Sequence, residues 1–151
     1  MQPRMKNPAL VLPEAMKTLL ALGAIPQKAG VPKSTLLMVY LRASQINGCS
    51  LCVAMHSREL KHAGETDDRI YSVSAWREAP WFNDAERAAL ALTETTTRLA
   101  DKEDAVPDHI WDEARKHYDE EKLSGLILAI ASINVWNRLN AATRQVAGSF
   151  G

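Results

Sequence analysis

The chain has 151 residues, of which 46% are apolar and 24% charged. That composition suits one globular domain with a real core, spanning 1–151, and the length is too short to expect two. Eighteen basic side chains balance eighteen acidic ones, so there is no electrostatic footprint for DNA or RNA and nucleic acid is excluded as an expected partner.

Met1 to Pro13 has no long apolar core and carries Arg4 and Lys6, so it does not read as a signal peptide. No apolar run approaches the roughly 20 residues that span a bilayer. The longest, Leu126 to Val135, is broken by Ser132 and Asn134. A cytoplasmic protein without a membrane span is expected.

The pattern then reads as helix after helix, with no convincing strand. Pro13 and Glu14 open a helix that ends near Gly23. A second runs from Pro32 to Ile46, with Leu36, Leu37, Val39, Tyr40 and Ala43 as its apolar face, and Asn47-Gly48 stops it. A third begins at Cys49 or Ser50 and runs to Ala63, with Gly64 as its end signal. Thr66 or Asp67 caps a short helix over Arg69 to Trp76, and Glu78-Ala79-Pro80-Trp81 is a linker.

Asn83 or Asp84 caps a long helix from Ala85 to about Ala100, with Ala88, Ala89, Leu92 and Leu99 at helical spacing. Asp101 to Val106 is a charged loop, and Pro107 opens a helix to about Tyr118. The last helix covers Glu120 to about Val146, and the tail Gly148 to Gly151 is expected to fray. The fold class is therefore all-α, a single domain of about six or seven helices with no internal repeat. Trp76, Trp81, Trp111, Trp136 and Phe82 are expected to pack a core or a subunit interface, and the charge run Lys116 to Lys122 to form an exposed turn.

The chemistry concentrates at Cys49, Cys52 and His56. Cys49 and Cys52 are the chain's two cysteines, three positions apart, and His56 follows the second by four. Thiols at this spacing can close a tight disulfide. Gly48 leaves Cys49 in the first turn of a new helix, where unpaired backbone N–H groups and the helix dipole lower a thiol pKa. His56 lies one turn beyond Cys52 on the same helix face and can take or give its proton, provided a third residue sets its tautomer. Two other readings stay open on these residues. They could be two core cysteines beside a histidine. They could also form a zinc site, although a second C-x-x-C is missing and His62, His109 and His117 are scattered.

The sequence around these residues resembles the carboxymuconolactone decarboxylase superfamily, specifically its alkylhydroperoxidase AhpD-like branch. The resemblance is carried by Leu41 to Cys49, by Cys52 to Glu65, and by Arg69-Ile70-Tyr71 with Ala75-Trp76-Arg77-Glu78. It continues through Phe82 to Leu90 and Ile133 to Asn140, and covers roughly residues 35 to 142. It implies an all-helical AhpD-like fold and a homo-oligomer, often a trimer or hexamer. It also implies a thiol-dependent peroxidase or disulfide reductase, with a small hydroperoxide as substrate and no metal or organic cofactor.

By the same resemblance Cys52 attacks the peroxide, Cys49 resolves the sulfenic acid into a disulfide, and His56 relays the proton. An outside dithiol, in the family a lipoylated protein, then reduces the disulfide. The family carries a glutamate twelve residues before the first cysteine to polarise the relay; here that position is Leu37. Glu86 is the first substitute to look for and Glu94 the second, with Tyr40, about one turn from Leu37, as a further hydroxyl. Two other functions remain in view. One is a decarboxylase-like enzyme acting on a small lactone or keto acid. The other is a non-enzymatic module whose disulfide senses redox state or controls assembly.

Overall fold

The structure, a computed structural model, describes residues 2–149. Among these residues there are eight α-helices, two short 3-10 turns and no strand. The helices are α1 (Pro8–Val11), α2 (Pro13–Lys28), α3 (Lys33–Ile46), α4 (Ser50–His62), α5 (Asp67–Ser72), α6 (Asp84–Thr97), α7 (Asp108–His117) and α8 (Glu120–Thr143); the turns are Val73–Ala75 and Leu99–Asp101. The all-α expectation holds. Phe150 and Gly151, part of the tail expected to fray, lie outside the described residues.

Helices α3 and α8 pack against each other and organise the rest. α2 and α6 also lie on α8, α4 and α6 lie on α3, and α7 closes on α6. α3 is apolar on two stripes. Leu36 and Val39 meet Leu92, Leu126 and Ile130, while Leu37, Met38 and Leu41 meet Leu60, Trp76, Phe82 and Leu90. Each such side chain, withdrawn from water, contributes ~1.5–3 kcal/mol. α8 is buried on many sides, which suits a helix with α2, α3 and α6 around it.

Several boundaries differ from the sequence reading, for reasons the packing makes clear. α1 is additional: Asn7 caps it, accepting from the Ala9 N–H at 2.8 Å. α2 does not stop at Gly23 but runs through it and through Pro26 to Lys28. A glycine costs a helix only ~1 kcal/mol, and the contact of α2 with α8 outweighs it. At Gly125 of α8 the two helices come so close that an added Cβ would sit 2.8 Å from the Ala29 Cβ and 3.4 Å from the Pro26 Cα.

The fourth expected helix is split into α5 and the 3-10 turn Val73–Ala75, and α6 stops at Thr97. α8 stops at Thr143 because Arg144 turns left-handed, with φ 54°. Of the expected packing aromatics, Trp76 and Phe82 are buried, whereas Trp81 is 44% exposed. Within the run expected to be an exposed turn, Tyr118 is buried and its hydroxyl donates to the Ala85 carbonyl at 2.8 Å.

Candidate active site

The junction between α3 and α4 places the cysteines. Gly48 adopts φ +66°, a left-handed conformation that side chains with a Cβ rarely take. Its N–H reaches the Gln45 carbonyl at 3.3 Å, and the Cys49 N–H reaches the Ser44 carbonyl at 3.0 Å. This pair of bonds closes α3 and delivers the chain directly into α4. Cys49 becomes the N-cap of α4, and its sulfur accepts the Cys52 N–H at 3.3 Å. Cys49 and Cys52 are joined as a disulfide across that first turn, and both are buried.

The two sulfurs have different surroundings. Cys52 lines a cavity of about 630 Å³ bounded by α1 to α4 and α8, and Cys49 is not among its lining residues. The walls are chiefly apolar: Leu10, Met16, Leu19 and Leu20 from the amino-terminal helices, Leu37 from α3, and Ile133 and Trp136 from α8. On the α8 side the Asn140 amide Nδ2 donates to the Cys52 sulfur at 3.3 Å. Cys49 instead sits at the amino end of α4, where the dipole and a backbone N–H favour a thiolate.

His56 lines the same cavity and is 6% exposed. Its Nδ1 pairs with the Glu59 carboxylate at 2.7 Å, and its Nε2 is buried without a hydrogen-bond partner among the described residues. An ionised carboxylate only accepts, so Nδ1 carries the proton and Nε2 keeps its lone pair. The bond from His56, opposed by burial and helped by Lys33, holds the Glu59 carboxyl below its ordinary pKa. The Tyr40 ring lies 5.2 Å from the His56 ring, and burial, then the charge of Glu59, pushes its phenol pKa up.

Cys49, Cys52 and His56 thus come together, but Glu86 does not join them. Glu86 is the third residue of α6. Its carboxylate receives the Asn83 N–H at 3.0 Å and the Arg69 guanidinium at 2.6 Å, which commits it to a helix cap and a partly buried ion pair. Glu94 is committed as well, to Arg42 at 2.7 Å, Arg77 at 2.6 Å and the Trp76 indole at 2.9 Å. Burial pushes its carboxyl pKa up, but these donors prevail and hold it low. Leu37 is a buried wall of the cavity.

The carboxylate paired with His56 is therefore Glu59, and its spacing makes it legible in the sequence: positions three apart share a helix face. Asn140 lies in the last resemblance segment without a sequence signal for its role, and Asn7 had none at all. No group of three or more His, Cys, Asp or Glu side chains among the described residues is placed to hold a metal ion. No helix among them is long and apolar enough to cross a membrane.

Comparison with known proteins identifies the family and the fold. The carboxymuconolactone decarboxylase family matches residues 13–95. The uncharacterized protein YdfG of Bacillus subtilis (strain 168) is 37% identical over 139 residues, which is 92% of this chain and 93% of that protein. A crystal structure from Agrobacterium tumefaciens, of a protein of unknown function for which AhpD-type antioxidant defence has been suggested, superposes with a TM-score of 0.89. It is 35% identical, and the match covers 97% of this chain and 98% of that one. The debrominase Bmp8 in complex with 2,3,4-tribromopyrrole shares the fold at a TM-score of 0.79, with 20% identity over 91% of this chain and 73% of that one. The chain belongs to the carboxymuconolactone decarboxylase family and, with it, to the AhpD-like superfamily.

Proposed function

We propose that this protein is a thiol-dependent peroxidase that reduces organic hydroperoxides and is itself reduced by an external dithiol. The observation that carries this reading is the placement of Cys52 and His56 on one cavity, with Cys52 tied to Cys49 and His56 oriented by Glu59. The Cys52 thiolate attacks one oxygen of the hydroperoxide. The O–O bond breaks, and the departing alkoxide takes from His56 Nε2 the proton that this nitrogen accepted from the Cys52 thiol, and leaves as an alcohol. Cys52 is then a sulfenic acid. The Cys49 sulfur attacks that of the sulfenic acid, the Cys49 thiol proton joins the departing hydroxyl to leave as water, and the disulfide forms. A dithiol such as a lipoylated protein returns two electrons and two protons and leaves as its own disulfide.

Cys52 is the peroxide-reacting thiol in this scheme because it faces the cavity, and Cys49 resolves. The apolar walls favour an organic hydroperoxide over hydrogen peroxide. A homo-oligomer working in the cytoplasm, where dithiol reductants are supplied, completes the proposal.

The test supplies purified protein with cumene hydroperoxide and dihydrolipoamide. Turnover is expected in the parent and lost in Cys52→Ser, while Cys49→Ser stops at a sulfenic acid that dimedone traps. Unchanged turnover in Cys52→Ser would reject the scheme. A single oxidation event without cycling would favour a redox sensor. Lactone or keto-acid decarboxylation surviving in the double Cys→Ser variant would favour the decarboxylase reading.

A further inference from the structure

Cys52 accepts the first link in a chain of buried amides that reaches the amino-terminal segment. Asn140 Nδ2 donates to the Cys52 sulfur at 3.3 Å, and Asn7 Nδ2 donates to Asn140 Oδ1 at 2.7 Å. The Ala9 backbone N–H donates to Asn7 Oδ1 at 2.8 Å. Asn7, Asn140 and Cys52 are 3%, 7% and 0% exposed. Three segments distant in sequence are therefore linked in one chain that ends at the sulfur.

The direction of the chain is fixed by its far end. A backbone N–H can only donate, so the atom of Asn7 that faces Ala9 is its oxygen, and its NH₂ group must point to Asn140. Asn140 then turns its own oxygen toward Asn7 and presents an N–H, not a carbonyl, to the sulfur. A thiolate accepts such a bond more strongly than a neutral thiol does, so the bond favours the deprotonated form. Cys49 receives its support from the first turn of α4; Cys52, one turn further in, receives it from this amide.

We propose that Asn140 is a catalytic residue that stabilises the Cys52 thiolate, and that Asn7 is the positioning residue that fixes which end of the Asn140 amide meets the sulfur. The consequence for turnover rests on the thiol reading above; the consequence for thiol ionisation does not. On reduction, the electron pair released to Cys52 from the S–S bond lands on a sulfur that already has a donor. On oxidation, the same donor keeps the attacking thiolate populated below the ordinary thiol pKa of about 8.5. The titratable side chains that line the cavity with Cys52 are Tyr40 of α3 and His56 and Glu59 of α4, and the lining residues of α1, α2 and α8 are not titratable. Cys49 is the further titratable group, and it is removed in the test.

In a Cys49→Ser background Cys52 is the single thiol. Its ionisation is read from the pH dependence of iodoacetamide alkylation and of ultraviolet thiolate absorbance, fitted with a second ionisation for His56. Asn140→Leu is expected to raise the thiol midpoint by about one unit, an about tenfold slower alkylation below it. Asn7→Asp keeps an acceptor for the Ala9 N–H but offers Asn140 only oxygens, so Asn140 turns its NH₂ away from the sulfur and the midpoint rises similarly. Because the new charge could act directly through space, the double variant decides. If Asn7 works through Asn140, Asn7→Asp adds nothing to Asn140→Leu.

An unshifted midpoint in Asn140→Leu, or additive shifts in the double variant, would overturn the proposal. Should Asn140→Leu not fold, the uncharged Asn7→Ser decides, since it keeps an acceptor for the Ala9 N–H but removes the NH₂ that orients Asn140: a raised midpoint supports the proposal and a parental one overturns it. Hydroperoxide turnover is measured separately. Shifted midpoints without turnover would remove the peroxidase reading and leave the amide chain, whereas turnover with unshifted midpoints would do the reverse.

Discussion

Glu59 lies one turn beyond His56 on α4 and accepts its Nδ1–H at 2.7 Å, so the carboxylate beside the imidazole comes from the same helix and not from the preceding one, where the family resemblance places a glutamate. Leu37 occupies that other position and forms part of the cavity wall instead. Exchanging the source of the acid keeps the chemical requirement intact. The imidazole still has a defined tautomer, with Nε2 left unpaired and buried.

Glu59→Gln is therefore expected to cost about a hundredfold in peroxidase turnover, the range in which a positioned acid–base group works. Glutamine can offer either its oxygen or its NH₂ to Nδ1, so the tautomer is no longer set and the charge is lost. The decisive comparison is with His56→Asn. If Glu59 acts through His56, the double variant is no slower than His56→Asn alone. Multiplying losses would mean that Glu59 works independently, for example on substrate entry.

Cys49, Cys52 and His56 could be read from the sequence because they lie within eight residues of one another and helical spacing alone puts them together. The all-α class followed from caps, glycines and periodic apolar positions in the same way. Glu86 failed as the acid because its carboxylate is claimed by Arg69 and by the Asn83 N–H, and no local pattern reveals a pairing seventeen positions away. Asn7 and Asn140 were invisible for the same reason: 133 positions separate them, and only the packed fold makes them neighbours. Gly23 looked like a stop because its helix cost is local, while the contact with α8 that outweighs it is not.

Glu86→Ala is expected to act on stability and not on the thiol. The substitution removes the capping box of α6 and leaves the Arg69 guanidinium, whose side chain is 20% exposed, with Glu65 as its remaining carboxylate partner. Loss of the cap costs ~1 kcal/mol. Removing one partner of a largely buried pair adds to it, for a total on the order of 2–4 kcal/mol. Urea denaturation should report that loss, while the turnover of the folded fraction keeps the parental pH profile. A shifted profile with unchanged stability would put Glu86 back in the relay.

Gly125→Ala tests the α2–α8 contact that positions the α2 wall of the cavity. The added methyl would meet the Ala29 Cβ at 2.8 Å, with the Pro26 backbone behind it, so neither neighbour is a flexible tip that can swing aside. α2 must move off α8, and α2 carries Met16, Leu19 and Leu20 of the cavity wall. Overpacking of this kind costs ~1–3 kcal/mol. The expected result is a lower Tm together with weaker binding of apolar hydroperoxides, seen as a raised KM. An unchanged Tm would show that the α2–α8 contact is looser than the distances imply.

Tyr118 gives the fold an alkaline limit. It is 5% exposed and donates to the Ala85 carbonyl at 2.8 Å; burial, and then the charge of Glu86, pushes its phenol pKa up to about 12. In the unfolded chain the same phenol titrates near about 10. Because the folded value is the higher one, the contribution to stability is complete below about pH 10, falls as the unfolded state sheds its proton first, and is gone once the pH passes the folded value. Between about pH 8 and pH 12 the protein should lose on the order of 2 kcal/mol through this residue. Tyr118→Phe gives up the hydrogen bond, ~1 kcal/mol at every pH, and with it the alkaline slope. Urea midpoints of the two proteins should therefore converge as the pH rises and cross before about pH 12. Parallel midpoints across that range would mean that the phenol ionises in the fold as readily as it does in water.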